Sequence, residues 1–462
     1  MPDSLAPTVL SPDATAHLDD LAAFVAAAPS SYHAAEEVAR RAEAAGFERL
    51  SEADAWPDPA TGGRYVVVRD GAAIAWTVPA GATPTTPVTV LGTHTDSPGF
   101  KLKPRPTTGG HGWLQAGVEV YGGPLLNSWL DRELELAGRI AVRGDDGTVT
   151  EHLVRTGPML RIPQLAIHLD RAVNDGLALD KQRHTQPVWG LATTGVPGAE
   201  PDADVVAALA DAAGVAPGAV DGFDVVVADT QPPRRFGARG ALFASGRLDN
   251  LLSTHAALAA LLASADGDAA SADGDAASAD GDAPRVRMVA AFDHEELGSA
   301  SRSGAAGPFL ADVLDRVYAG LGATTEDRHR AFAASWCVSS DVGHAVHPNY
   351  PERHDPANHP VAGGGPILKL NANQRYASDA TGSALWQSAC RAAGVPSQAF
   401  VSNNAVPCGS TIGPITATRL GLRTVDVGAA ILSMHSAREL CAAVDPWYLS
   451  RAMRAALDVT PA

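Results

Sequence analysis

Short apolar runs that stop at acids, histidines and glycines recur along this chain. In VRMVAAFDHEELGS, residues 286–292 are apolar apart from Arg287, and Asp293, His294, Glu295 and Glu296 follow before Gly298. The run predicts a buried strand. A buried strand fixes whatever stands at its carboxyl end, the edge where open α/β sheets bind ligands. PVTVLGTHTDSPGFKLKP repeats the arrangement, with a strand over 88–91 and then His94 and Asp96, a histidine beside a carboxylate able to orient it. FAASWCVSSDVGHAVHPNY ends another run at Asp341, with His344 and His347 close behind, and TVDVGAAILSMHSARE gives the last strand and His435. Helical stretches alternate with these runs. HLDDLAAFVAAAP and SYHAAEEVARRAEAAGF fill 14–45, with Ser30 and Ser31 as cap candidates and Gly46 as the stop. FASGRLDNLLSTHAALAALLASA places Asp249 at the start of a strongly periodic helix, as cap or as ligand. GPFLADVLDRVYAGL, TGSALWQSACRAAG and the closing VDPWYLSRAMRAALDV complete the set, while 65–69 and 73–78 read as strands paired around Asp70-Gly71.

The alternation predicts an α/β fold, a mostly parallel sheet flanked by helices. It breaks from about Lys101 to about Gly240, where turn residues, prolines and short β-like runs take over. We therefore expect an α/β domain from residues 1–97 and 240–462, interrupted by a β-rich insert over 98–239. His168, within LRIPQLAIHL of the insert, stands alone on an apolar run and by itself reads as a core histidine. Residues 264–283 hold three near-copies of SADGDAA. Their period of seven has no apolar a/d pair, and Asp-Gly-Asp lacks the remaining ligands of an EF-hand, so a disordered, solvated loop is expected. GGGPILKLNANQRYASDA carries Lys369 and Tyr376, and SNNAVPCGSTIGP reads as a glycine-rich loop.

Composition narrows the function. The chain has 462 residues, 45% hydrophobic and 19% charged, ordinary for a globular protein. Its net charge of −17 argues against nucleic acid or an anionic membrane as partner, because both need basic surface. An acidic substrate would have to be captured by local Lys or Arg. The four cysteines lie far apart without CxxC pairs, which suggests buried free thiols in a reducing compartment. The first residues lack the basic and apolar regions of a secretory leader, and no window offers about 20 apolar residues for a membrane span. The cytoplasm is the expected setting.

The candidate chemistry is positional. Adjacent Glu295 and Glu296 read alone as acids favoured at a helix N-terminus. Beside a cation they read differently, one as ligand and the other as base. His94, Asp341 and His435 also follow apolar runs, and Asp249 opens a helix after a turn, so one parallel sheet would bring all of these to its carboxyl edge. Imidazole with carboxylate suits zinc or another divalent transition metal. Five ligands sharing one carboxylate suit two ions about 3.5–4 Å apart.

GTHTDSPGFKLKP, SGRLDNL, FDHEELGS, SSDVGHAVHPNY, GGGPILKLNANQRY and SMHSARE resemble the signature stretches of the aspartyl aminopeptidases. LRIPQLAIHL and FVAAAPSSYHAAEEVARRAEAAGF are also similar, so the resemblance spans nearly the whole chain. It implies two zinc ions per subunit, removal of N-terminal Asp or Glu from peptides, and an insert used for homo-oligomerisation, typically into a tetrahedral dodecamer. By position it implies that His94 and Asp341 hold one metal and Glu296 and His435 the other, with Asp249 bridging. Asp96 would orient His94, and Glu295 would be the general base. His168 would stabilise the oxyanion in a neighbouring subunit's site, or serve as a metal ligand, and His344 and Lys369 would contact substrate. The acidic repeat departs from the family. Two other readings stay open on the residues: a dinuclear zinc carboxypeptidase or N-acyl deacylase, and a non-catalytic peptide-binding assembly.

Overall fold

A computed structural model describes residues 10–193, 203–272 and 284–459. Its centre is a nine-stranded sheet in the order Glu48–Arg49, Gly63–Arg69, Ala72–Val78, Val286–Phe292, Val88–His94, Trp336–Ser340, Arg423–Gly428, Ile367–Leu370, Gln398–Val401. Val286–Phe292, Val88–His94, Trp336–Ser340 and Arg423–Gly428 run parallel to one another, and antiparallel pairings begin on either side of them. The α/β expectation holds, with the parallel character concentrated in the middle of a mixed sheet. Those middle strands are buried on both faces, which is why they read as continuous apolar runs instead of alternating ones.

Helices cover both faces. Val289 faces a core shared with helices Pro12–Ala27, Ser31–Ala44, Leu248–Ala272, Ala380–Ala393 and Asp445–Ala456. Its neighbours Met288 and Ala290 face the opposite core, built with Phe309–Gly320 and Ile412 of Ile412–Leu420. The Ser11 and Ser30 hydroxyls cap the first two helices by accepting from the Ala14 and His33 N–H groups. Leu18, Leu21, Phe24 and Val25, fully buried along one stripe of Pro12–Ala27, dock that helix on the core.

A six-stranded antiparallel sheet interrupts this unit, in the order Val149–Arg155, Leu134–Arg143, Val220–Asp229, Gly99–Gly110, Trp113–Tyr121, Val188–Leu191. It has its own core around Phe100, Trp129, Leu136 and Ile140, to which helix Val205–Ala213 adds Val205 and Leu209. A third sheet of five short strands runs Arg234–Phe236, Leu242–Ser245, Glu439–Ala442, Ala430–Leu432, Gly343–His344.

Several local expectations change. Helix Leu248–Ala272 continues into the acidic repeat, so the loop expected over 264–283 fails for its first residues, and 273–283 lie outside the described residues. Alanine-rich sequence extends an existing helix readily, because propagation costs far less than nucleation. Helix Thr325–Ala333 stands where no element is expected, and helix Ile412–Leu420 begins inside the expected glycine-rich loop. Three cysteines are buried free thiols as expected, whereas Cys408 is half-buried. Among the described residues no helix is long and apolar enough to cross a membrane.

Candidate metal centre

The middle strands deliver the site. Val88–His94 ends on His94, which is 1% exposed. Its Nδ1 lies 3.0 Å from the Asp96 carbonyl oxygen, which can only accept, so Nδ1 carries the proton and Nε2 is left facing acids. Nε2 is 3.3 Å from Asp249 Oδ1, 3.6 Å from Asp341 Oδ1 and 4.0 Å from Glu295 Oε2. The other Asp249 oxygen, Oδ2, lies 3.4 Å from His435 Nε2, and Glu296 Oε2 lies 3.6 Å from the same nitrogen. His435 is oriented as His94 is, with Nδ1 donating to the Gly123 carbonyl at 2.9 Å.

Glu295 and Glu296 stand in a single 3-10 turn, Glu295–Leu297, entered through left-handed His294 (φ 61°). No longer helix starts there, so the helix-cap reading of the pair fails. Their N–H groups instead donate to Asp96 Oδ1 (3.0 Å) and Oδ2 (3.2 Å). Asp96 therefore gathers the Glu pair, the His94 ring and the Tyr121 hydroxyl, whose bond to Oδ2 is 2.8 Å. Asp249 has non-helical backbone (φ −82°, ψ 101°) at the start of its helix, and its side chain turns to His94 and His435 rather than capping.

Electrostatics explain why this cluster needs a cation. Asp96, Asp249, Glu295, Glu296 and Asp341 crowd around two imidazoles in a largely buried space. Burial, together with the charges of Asp341, Asp249 and Asp96, pushes the Glu295 carboxyl up to about 7, and Glu296 is held well above its usual range by burial and Asp249. Burial alone would depress His94, but Asp249, Asp341 and Asp96 hold its pKa well above the usual value. His435 is likewise pushed up to about 9, against its own burial, by Asp249. Asp249 Oδ1, Glu296 Oε1 and Asp341 Oδ1 are buried oxygens with no hydrogen-bond partner. Donor atoms fall into three groups, each within 4.8 Å: His94, Asp249 and Asp341; His94, Glu295 and Glu296; and Asp249, Glu296 and His435. Mixed imidazole and carboxylate donors with orphaned anionic oxygens fit a divalent transition metal.

Other expected site residues fall at varying removes. Lys369, whose surroundings aside would read as a surface lysine, is 2% exposed. Its Nζ donates to the Val342 carbonyl at 2.8 Å, lies 3.4 Å from Asp341 Oδ2 and sits 5.4 Å over the Tyr376 ring. His344 is exposed in a cleft of about 290 Å³ that is also lined by His347, Arg353, His354, Tyr376 and Phe400. His168 is no core histidine. It lies in an exposed turn with Leu165, Ile167 and Leu169, and among the described residues no hydrogen bond or ion pair joins it to the cluster. Leu165, Ile167 and Leu169 are exposed with it, so this apolar run marks no core segment.

Two contributors escape sequence reasoning. Tyr121, at the end of an insert strand, supplies the hydroxyl on Asp96. Glu439, 1% exposed, accepts the N–H groups of both Asp249 and His435. An acid four residues beyond a ligand histidine and followed by the apolar LCAAV is the available signal.

The family model of the aminopeptidase I zinc metalloproteases (M18) matches residues 24–455. A probable M18 family aminopeptidase 2 from Streptomyces avermitilis is 55% identical over 96% of this chain and 98% of its own length. The Mycobacterium leprae protein of the same description is 41% identical over 94% and 97%. Among solved structures, the Ape4–Nbr1 complex contains a chain matching at TM-score 0.90 and 35% identity, over 96% of this chain and 85% of that one. The S. cerevisiae mApe1 dodecamer matches at TM-score 0.79 and 27% identity, over 95% of each chain. These matches set aside the carboxypeptidase, deacylase and non-catalytic readings. The chain belongs to the M18 family of aminopeptidase I zinc metalloproteases and is a zinc-dependent aminopeptidase.

Proposed function

We propose that this enzyme releases N-terminal Asp or Glu from peptides at a pair of zinc ions in each subunit. His94 and Asp341 would hold one ion and Glu296 and His435 the other, with Asp249 available to both. The observation that carries the reading is the two-sided Asp249 carboxylate, one oxygen 3.3 Å from His94 Nε2 and the other 3.4 Å from His435 Nε2. Bound there, zinc supplies Lewis acidity toward the scissile carbonyl and toward water. Glu295 takes the proton from the attacking water and returns it to the departing amine. Asp96 keeps His94 aligned and, through the two N–H groups it accepts, keeps Glu295 beside Glu296.

An acidic first residue suits the local charge. Lys369 lies behind Asp341 and beside Tyr376, and His344, Arg353, His347 and His354 line the adjoining cleft. Lys369 and Arg353 are local positive charges against a net charge of −17. In this reading Lys369 and His344 contact the substrate, and His168 donates to the oxyanion, or ligates metal, in a neighbouring subunit's site. Its exposed, apolar-flanked turn supports that role, as does the dodecameric state of the mApe1 relative. We read residues 98–239 as the oligomerisation domain, the assembly as a homo-oligomer, and the setting as cytoplasmic.

Metal analysis of the purified enzyme combined with a panel of peptides differing only in the first residue tests the proposal. Two zinc ions per chain and the highest kcat/KM for Asp- and Glu-leading peptides are expected. A single ion, or faster cleavage of Leu- or Ala-leading peptides, would overturn it.

A further inference from the structure

The donors nearest His435 Nε2 come from chain segments far apart in sequence, and one buried side chain holds the backbone of two of them. Glu439 lies four residues after His435. Across the small sheet it pairs with Ser245, which lies four residues before Asp249. That register puts its carboxylate between the two turns. Oε2 accepts the Asp249 N–H at 2.9 Å and Oε1 accepts the His435 N–H at 2.8 Å. His435 has φ 67°, a left-handed conformation uncommon for a residue with a side chain, so its N–H direction depends on a fixed acceptor.

A neutral amide could not take this place. Glutamine offers one acceptor oxygen, and its NH₂ group would face the second N–H, donor against donor. Aspartate would keep the charge but shorten the reach by one methylene. Among the described residues no Lys, Arg or His ion pair neutralises Glu439, so a buried carboxylate is kept here for two main-chain donors alone.

We propose that Glu439 is a positioning residue. Its carboxylate sets the distance between Asp249 and His435 and thereby the zinc affinity of the position formed by Asp249, Glu296 and His435. The inference rests on the metal pair proposed above.

The test is a zinc titration of the full-length enzyme against a competing chromophoric chelator, on the unaltered protein, Glu439→Gln and Glu439→Asp, with melting of each metal-free protein alongside. In both variants one zinc affinity is expected to fall about 10–100-fold. The other zinc, which also uses Asp249, should weaken less, both metal-free variants should still melt cooperatively, and kcat should return in excess zinc. Two zinc affinities within about twofold of the unaltered enzyme would overturn the proposal while leaving the metal pair intact. Failure of both variants to fold would also overturn it, by making Glu439 purely structural. An unaltered protein that binds fewer than two zinc ions would overturn the metal-pair reading and this inference with it.

Discussion

Replacing Glu295 by glutamine changes the least shape for the largest expected effect. The side chain keeps its volume, the backbone N–H keeps its bond to Asp96, and only the capacity to accept a proton is lost. Whether another acid can substitute is decided by what the others are doing. Asp96 already accepts from the Tyr121 hydroxyl and from two backbone N–H groups. Asp341 faces Lys369 and His94, and Asp249 faces both histidines. Glu296 is turned to His435. No second carboxylate is left to carry the proton, so the full contribution of general base catalysis should disappear. That is about 10²–10⁴-fold in kcat, or roughly 3–5 kcal/mol of barrier. KM should change little and both zinc ions should be retained, because in this reading Glu295 is not a ligand. Steady-state kinetics with an Asp-leading peptide, run beside metal analysis of the same preparation, measures all three. A kcat within tenfold of the unaltered enzyme, with zinc still bound, would remove Glu295 from the proton transfer and refute the reasoning.

Two further outcomes follow from the same geometry. In the metal-free protein the Glu295 carboxyl is pushed up to about 7, chiefly by burial, so it keeps its proton in the folded chain after the unfolded chain has released it. That stability is complete below the unfolded value near 4.5 and is lost as pH rises through about 7. Chelated enzyme should therefore melt lower at about pH 8.5 than at about pH 5.5, whereas added zinc should stabilise more at the higher pH because its ligands must be deprotonated; a chelated enzyme that gains stability across that window would contradict the assignment. His168→Ala should lower kcat about 10²-fold or more, with melting unchanged since the side chain is exposed, and mixing it with Glu295→Gln subunits should restore part of the activity. Mixed assemblies no more active than the separate variants would argue against a site shared between subunits.

How much of this was legible in the sequence depended on burial pattern. Val286–Phe292 and Trp336–Ser340 are buried on both faces, so the apolar run of the first marks its strand to the residue, that of the second marks where its strand ends, and the candidate ligands stand just beyond. Thr325–Ala333 escaped because its stretch, TEDRHRAFA, buries only Ala331; what identifies it is the Thr324–Asp327 capping box. Ile412–Leu420 was hidden by Gly413 and Pro414 in its first turn, which resemble loop until the helix is seen to start there. Within the site, residues placed by strand ends were readable and residues placed by another chain segment were not. Glu439 owes its position to pairing with Leu242–Ser245, and Tyr121 to the insert sheet reaching Asp96. Lys369 shows the same limit: an isolated lysine in a glycine- and asparagine-rich stretch gives no hint that its ammonium lies buried beside Asp341.

The scattering of the donors along the chain carries a safeguard. His94 sits in an early strand and His435 in one of the last turns, so a half-synthesised or clipped polypeptide that lacks the final segment carries only part of the donor set. Such a fragment keeps His94, Asp249 and Asp341 but lacks the group that Asp249 and Glu296 form with His435. If hydrolysis takes both positions, as proposed, it starts only when the last turn has reached the early strand, and activity, not zinc uptake, reports that the sheets have closed.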